Sequence, residues 1–184
     1  MPDPTLASLA DFQAWAPIAA GREESLITDI LESVTAAAQF ETGRVLFFGT
    51  FTERLDGRGG FVISPKNTPI LSVNSVTDRG VAIVESDGVT SGWVIGPESM
   101  YLQLIGRRFS DGPVTVVEYT GGFAAIPKDL KVGALHQAKY EYEERQHTGM
   151  TSKGLGTAQS GGFLNVPFVP IFQRALDRYK RVTY

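Results

Sequence analysis

The stretch VTVVEYTGGFAAIPKDLKVGAL, residues 114–135, joins the two kinds of structure in this chain. Its first part, Val114–Tyr119, is rich in β-branched and aromatic residues and reads as a strand. Gly121-Gly122 closes that strand. Pro127, whose fixed φ suits a first helical position, then opens a helix. Leu130, Ala134, Leu135, Ala138 and Tyr142 form an apolar stripe along it, and Gly149 stops it. The small Ala134 and Ala138 leave room for a second helix, for which 22–42 is the expected partner.

Upstream of this junction the pattern is β-like over about 45–120. Runs at 45–51, 61–64, 70–76, 81–85, 92–95 and 101–105 precede the one at 114–119. Asp56-Gly57, Gly59-Gly60, Asp87-Gly88, Gly96-Pro97 and Asp111-Gly112 supply turns between them. Pro69 stands at a strand start, where its missing donor does least harm. The expectation is an antiparallel β region inserted between helices.

Before the insert lie two helical segments. Thr5 or Ser8 can cap a short helix through Trp15, broken by Pro17 and Gly21. Residues 22–42 repeat apolar side chains every fourth position, at Leu26, Ile30, Val34 and Ala38, with Ile27 and Leu31 beside them. Glu23 and Glu24 occupy the first turn, where the helix dipole favours negative charge. Gly43 ends the helix.

Downstream, residues 148–162 contain five glycines plus serine and threonine, with almost nothing to bury, and read as a flexible linker. Beyond it come Phe163, Leu164, Val166, Phe168 and Val169 in an extended stretch. A helical pattern follows through Ile171, Phe172, Ala175, Leu176 and Tyr179. The reading is therefore an α+β chain: a small helical bundle with an inserted antiparallel β-rich region, in a core of residues 1–149. Residues 150–184 form a linker and an extended or helical C-terminal arm. Burying the arm's apolar side chains falls short of the entropy cost of ordering its backbone, so alone it lacks a surface to fold on.

The composition of the 184 residues excludes several classes. Hydrophobic residues at 42% and charged residues at 20% rule out a wholly disordered chain. Seventeen basic against twenty acidic side chains, net −3, argue against a generally basic nucleic-acid-binding surface. The absence of cysteine removes disulfides, thiolate nucleophiles and Cys-ligated zinc. No apolar run reaches the roughly 20 residues needed to span a bilayer. Met1–Ala10 lacks the basic start of a secretory signal, so synthesis in a cytoplasm and no membrane partner are expected.

Nothing in the sequence points to catalysis, a cofactor or a metal. The two histidines, His136 and His147, are eleven apart in the sequence and match no metal-ligand spacing. Glu141, Glu143 and Glu144 splay apart on a helix and read as a solvated or subunit-facing charged surface. The glycines at 154–162 lack the phosphate-loop pattern, and no serine sits in a nucleophile elbow. Charge is instead segregated. Arg174, Arg178, Lys180 and Arg181 face only Asp177 in residues 163–184. Glu23, Glu24, Asp29, Glu32 and Glu41 face only Arg22 in 21–41. Spacings of four and three place Arg174, Arg178 and Arg181 on one helical face.

The order of these parts resembles the head–tail connector, or adaptor, proteins of long-tailed phages and gene transfer agents. The motifs that carry the resemblance are Leu9-Ala10-Asp11-Phe12, then Ala36-Ala37-Ala38-Gln39-Phe40-Glu41-Thr42-Gly43-Arg44. Pro69-Ile70-Leu71-Ser72-Val73 and Val116-Val117-Glu118-Tyr119-Thr120-Gly121-Gly122-Phe123 follow. Ile126-Pro127-Lys128-Asp129-Leu130 and the terminal Leu176-Asp177-Arg178-Tyr179-Lys180-Arg181 complete them. They span nearly the whole chain, which departs from the shorter family pattern in its long β insert and glycine-rich segment.

The resemblance implies a non-enzymatic virion neck protein, made and assembled in the host cytoplasm. Identical subunits, usually twelve, would form a ring beneath the portal protein, extending a channel through which double-stranded DNA passes without sequence-specific binding. The ring would present a platform to a downstream neck or tail-completion protein. Portal docking would fall to the arm: Phe163, Leu164, Val166, Phe168, Val169, Ile171, Phe172, Leu176 and Tyr179, with Arg174, Arg178 and Arg181 as charge partners. Glu23, Glu24, Asp29, Glu32, Glu141 and Glu144 are the candidates for contact between subunits. Two rivals are weighed. A neck stopper or tail terminator is usually mostly β, which the two long helices oppose; a small enzyme using the β region would need a convergent polar pocket.

Overall fold

The computed structural model describes residues 4–16, 23–145, 152–155, 159–162 and 168–181. The fold is α+β. Helices α1 (Leu9–Trp15), α2 (Glu24–Thr42), α3 (Lys128–Glu144) and α4 (Pro170–Tyr179) alternate with strands β1 (Gly49–Leu55), β2 (Val62–Ile63), β3 (Ile70–Asp78), β4 (Val81–Ile83), β5 (Gly92–Ile95), β6 (Leu102–Ile105), β7 (Thr115–Gly121), β8 (Ser152–Leu155) and β9 (Gln159–Gly162). The chain divides into two compact units. One comprises Met1–Thr42 with Pro127–Lys180, the other Gly43–Ile126 with Arg181–Tyr184.

In the helical unit α1 starts at Ser8, whose hydroxyl accepts from the Asp11 N–H while the Asp11 carboxylate accepts from the Ser8 N–H at 3.0 Å. α2 buries Ile27, Leu31, Val34, Thr35 and Ala38. The face expected from the sequence is therefore turned: Leu26 is exposed and Ile30 half-buried, because positions 27, 31, 34 and 38 meet the other helices. Gly43, at φ +69°, ends α2 in the left-handed conformation that glycine adopts without strain. Pro127 is the residue before α3 rather than its first turn, with ψ 139°.

The helix of the C-terminal arm belongs to this bundle. Phe172, Ala175 and Leu176 of α4 are buried, and α4 packs on α3 and α2. The expectation that this helix lacks a surface within its own chain is corrected: its apolar face is core. α4 also ends at Tyr179, with Lys180 already out of helical geometry at ψ 139°. Arg181 therefore does not share a helical face with Arg174 and Arg178. In the segment read as a linker, β8 and β9 form an antiparallel ladder, Ser152 opposite Gly162 and Leu155 opposite Gln159.

The β unit holds two antiparallel sheets, ordered β1-β7-β3-β4 and β2-β6-β5. β1 begins at Gly49 rather than Val45, opposite Gly121, and Phe47 makes only a single bridge to Phe123. Inward side chains of both sheets, including Ile70, Val76, Trp93, Leu102, Leu104, Phe109, Val117 and Tyr119, form one core. Three of the motifs that carry the resemblance meet here. The Arg44 guanidinium donates to Thr68 O at 3.1 Å and Thr68 Oγ1 at 2.7 Å, and lies 5.5 Å over the Phe123 ring. The buried Tyr119 hydroxyl donates to Glu53 and accepts from the Asn67 N–H at 3.0 Å. A Cβ on Gly121 would stand 2.2 Å from Asn67 O. One on Gly122, at φ +86°, would stand 2.2 Å from Phe47 O, so the Gly-Gly pair lets three backbones close together.

Candidate docking surfaces

The arm's candidate residues separate by exposure. Phe172 and Leu176 are interior, whereas Ile171, Arg174 and Arg178 are exposed. Phe168, Val169 and Tyr179 are half-buried. Phe163, Leu164 and Val166 lie outside the described residues, as does His147. Arg181 is half-buried, with its Nε enclosed and without a hydrogen-bond partner.

α4 is held at both ends. At its start the Val169 N–H donates to Gln137 Oε1 at 2.8 Å, and Phe168 packs edge-on against Phe172 at 5.6 Å. Gln137 is buried, so its amide oxygen is a fixed acceptor, and its Nε2 donates to Glu141 at 3.0 Å. At the other end Asp129 accepts from the Tyr179 hydroxyl at 2.9 Å and from Arg178 at 3.2 Å. Lys180 Nζ reaches Glu41 at 2.7 Å and Asp177 at 3.1 Å. The Glu41 carboxylate, followed by Asp177, raises the Lys180 ammonium above its ordinary pKa, and Lys180 with Gln173 lowers Asp177.

Between α3 and α4 runs a shallow groove of about 460 Å³ lined by Lys128, Asp129, Val132, Ile171, Arg174 and Arg178, with Ala175 at its base. Val132 and Ile171 are 40% and 37% exposed. Lys128 and Arg174 form no ion pair among the described residues.

The six acidic candidates also sort. Glu23 is taken by its own chain, 2.8 Å from Arg145 and bonded to the Tyr142 hydroxyl, which it raises in pKa. Glu24 accepts from Gln13 at 3.2 Å and Glu141 from Gln137. Glu144 is half-buried. Asp29 and Glu32 are exposed and make no ion pair among the described residues. They flank a feature that sequence reading missed: the solvent face of α2 carries Leu26, Ile30, Ala37 and Phe40, with Phe40 89% exposed. Spacings of four, seven and three put these on one stripe, about 100° round the helix from Ile27, Leu31, Val34 and Ala38. The apolar residues off the core stripe were its signal.

His136 is half-buried and meets Trp15 edge-on at 4.6 Å. Among the described residues no group of three or more His, Cys, Asp or Glu is placed to hold a metal ion, and no helix is long and apolar enough to cross a membrane.

No protein-family model matches the sequence, and neither does any curated protein. Solved structures do match. A chain in the neck of a native GTA particle with C12 symmetry is 18% identical, with a TM-score of 0.59 over 96% of this chain and 89% of that one. A chain in the neck of an empty GTA particle with C6 symmetry is 19% identical, with a TM-score of 0.58 over 96% and 90%. A third, in the virion of a native gene transfer agent (GTA) particle, is 20% identical, with a TM-score of 0.57 over 96% and 90%. The ordered motifs and the three-dimensional likeness converge: this chain has the fold of chains found in the necks of gene transfer agent particles.

Proposed function

We propose that this protein is a non-catalytic neck component of a phage or gene transfer agent virion, forming a ring between the portal vertex and the tail. The observation that carries this reading is the fold shared with GTA neck chains over nearly its full length. The ring has one face on the portal protein, the other on a downstream neck or tail-completion protein, and its lumen continues the DNA channel. The net charge of −3 suits such a passage, since a basic wall would hold the phosphate backbone by counterion release.

Portal docking is assigned to the segment that enters α4. It comprises Phe163, Leu164 and Val166 with Phe168 and Val169, and Arg178 at the far end of α4 as a charge partner. Phe172 and Leu176 serve it indirectly, by fixing α4 on the bundle. A ring of identical arms makes a durable joint from modest contacts, because each engaged arm raises the effective concentration of the next.

The test is electron microscopy of the purified chain with and without portal rings. Collars seated on the portal, with six-fold or twelve-fold symmetry, are expected. A chain that remains monomeric and leaves portal rings bare contradicts the reading.

A further inference from the structure

The helical unit presents two surfaces that complement each other and that no other described residues cover. One is the outward stripe of α2, with Leu26 and Phe40 exposed and the free carboxylates of Asp29 and Glu32 beside it. The other is the α3–α4 groove, where Val132 and Ile171 are exposed and the cations Lys128 and Arg174 make no ion pair among the described residues. The charges without an ion pair among the described residues are thus of one sign on each surface, and the signs are opposite; the groove's one carboxylate, Asp129, is held by Arg178 and Tyr179. Arg178 is already engaged with Asp129, which leaves Lys128 and Arg174 as the groove's available charges.

We propose that these two surfaces meet between copies of the chain. The α2 stripe of one copy lies in the α3–α4 groove of the next, with Leu26 and Ile30, one turn apart, against Val132 and Ile171. Asp29 and Glu32 face Lys128 and Arg174. The inference deepens the ring reading and rests on it. Charge complementarity selects a second copy as the occupant: each surface finds on an identical chain the opposite charge and an apolar strip that it lacks a partner for at home. Because the two surfaces differ, the contact is head-to-tail. Each docking leaves one stripe and one groove open, so copies add until the series closes. Ile171 and Arg174 then belong to the joint between copies, and the stretch around Phe168 is left for the portal.

The chain has no cysteine, so introduced thiols report without background. The full chain carrying Leu26→Cys and Ile171→Cys together is assembled on portal rings and treated with a short bis-maleimide. Denaturing gels should show a ladder of covalent multimers climbing to ring size, with neither single variant passing monomer. Two charge-reversed chains, Asp29→Lys/Glu32→Lys and Lys128→Glu/Arg174→Glu, should each associate at least tenfold more weakly than the wild type. Mixed together they should recover, in alternation. Rings visible by microscopy without a ladder would overturn this contact while leaving the ring reading intact. A dimer from Leu26→Cys alone, or a cross-link from that thiol to portal, would also overturn it. Absence of both rings and ladder would remove the ring reading itself.

Discussion

Gly133 of α3 lies directly beneath Phe172 of α4. A methyl group at position 133 would stand 2.9 Å from Cδ2 of the ring and 3.1 Å from the Phe172 Cα. Glycine at 133 therefore lets the two helices approach closely and seats the Phe172 ring on α3.

Phe172→Ala is accordingly expected to destabilise the chain by about 3–5 kcal/mol, as loss of a buried aromatic does. Gly133→Leu should also destabilise, by about 1–3 kcal/mol, through overpacking. Urea unfolding followed by circular dichroism measures both. A loss below about 1 kcal/mol for Phe172→Ala would mean that α4 does not complete the helical core.

The Tyr119 hydroxyl joins Glu53 to the Asn67 backbone inside the β unit. Tyr119→Phe leaves that buried N–H unsatisfied, at about 1–3 kcal/mol. Burial first, and then the Glu53 carboxylate, hold the phenol protonated well above its ordinary range. In the unfolded chain it ionises near pH 10. Above that pH the unfolded state releases a proton that the folded state keeps, so stability falls as pH rises. The wild type should lose stability between pH 9 and about 11 more steeply than Tyr119→Phe in parallel urea titrations.

Asp11 works in the opposite direction. Hydrogen bonds from Lys131, 2.7 Å away, and from Ser8 lower its carboxyl from 3.8 to about 2. Its contribution is complete above the unfolded value and disappears as pH falls from about 4 towards 2. Asp11→Asn should cost about 1 kcal/mol at pH 7, the usual worth of a capping interaction. The gap between variant and wild type should close in acid, read as thermal midpoints at pH 7, 4 and 2.

Arg178 is solvent-facing, and its pair with Asp129 is worth at most about 1 kcal/mol. Arg178→Glu should therefore leave the thermal midpoint within a few degrees of the wild type while lowering collar occupancy on portal rings. The deficit should narrow at high salt as the new repulsion is screened. Unchanged occupancy at low salt would remove Arg178 from the docking surface.

Much of the architecture was legible because it rests on local chemistry. Gly43 stops α2, Gly121-Gly122 closes β7, and the strand runs recur near their expected places. The misreadings share a cause: they concern pairings set by distant residues. Val45-Leu46-Phe47-Phe48 has the composition of a strand, yet the ladder starts at Gly49, where Gly121 lies opposite. Leu26 and Ile30 recur with helical spacing as regularly as Ile27 and Leu31, so periodicity alone leaves two candidate faces for α2, and only packing against the other helices selects one. Ala134 and Ala138 drew attention as small residues, whereas the position next to them, Gly133, receives α4. The candidate site was less legible still. Arg174 and Asp29 were visible as charges, but that neither makes an ion pair among the described residues depends on which neighbours Arg178, Glu23 and Lys180 engage.

The two units also differ in how their residues are ordered in the chain. Residues 43–126 of the β unit are contiguous, while the helical unit draws α1 and α2 from before them and α3 and α4 from after. On the ribosome the sheets have all their strands in hand while the bundle still waits for Phe172 and Leu176. A nascent chain interrupted before those residues carries all the strands of the β unit and an open bundle, so a closed helical core arises only from chains translated through α4.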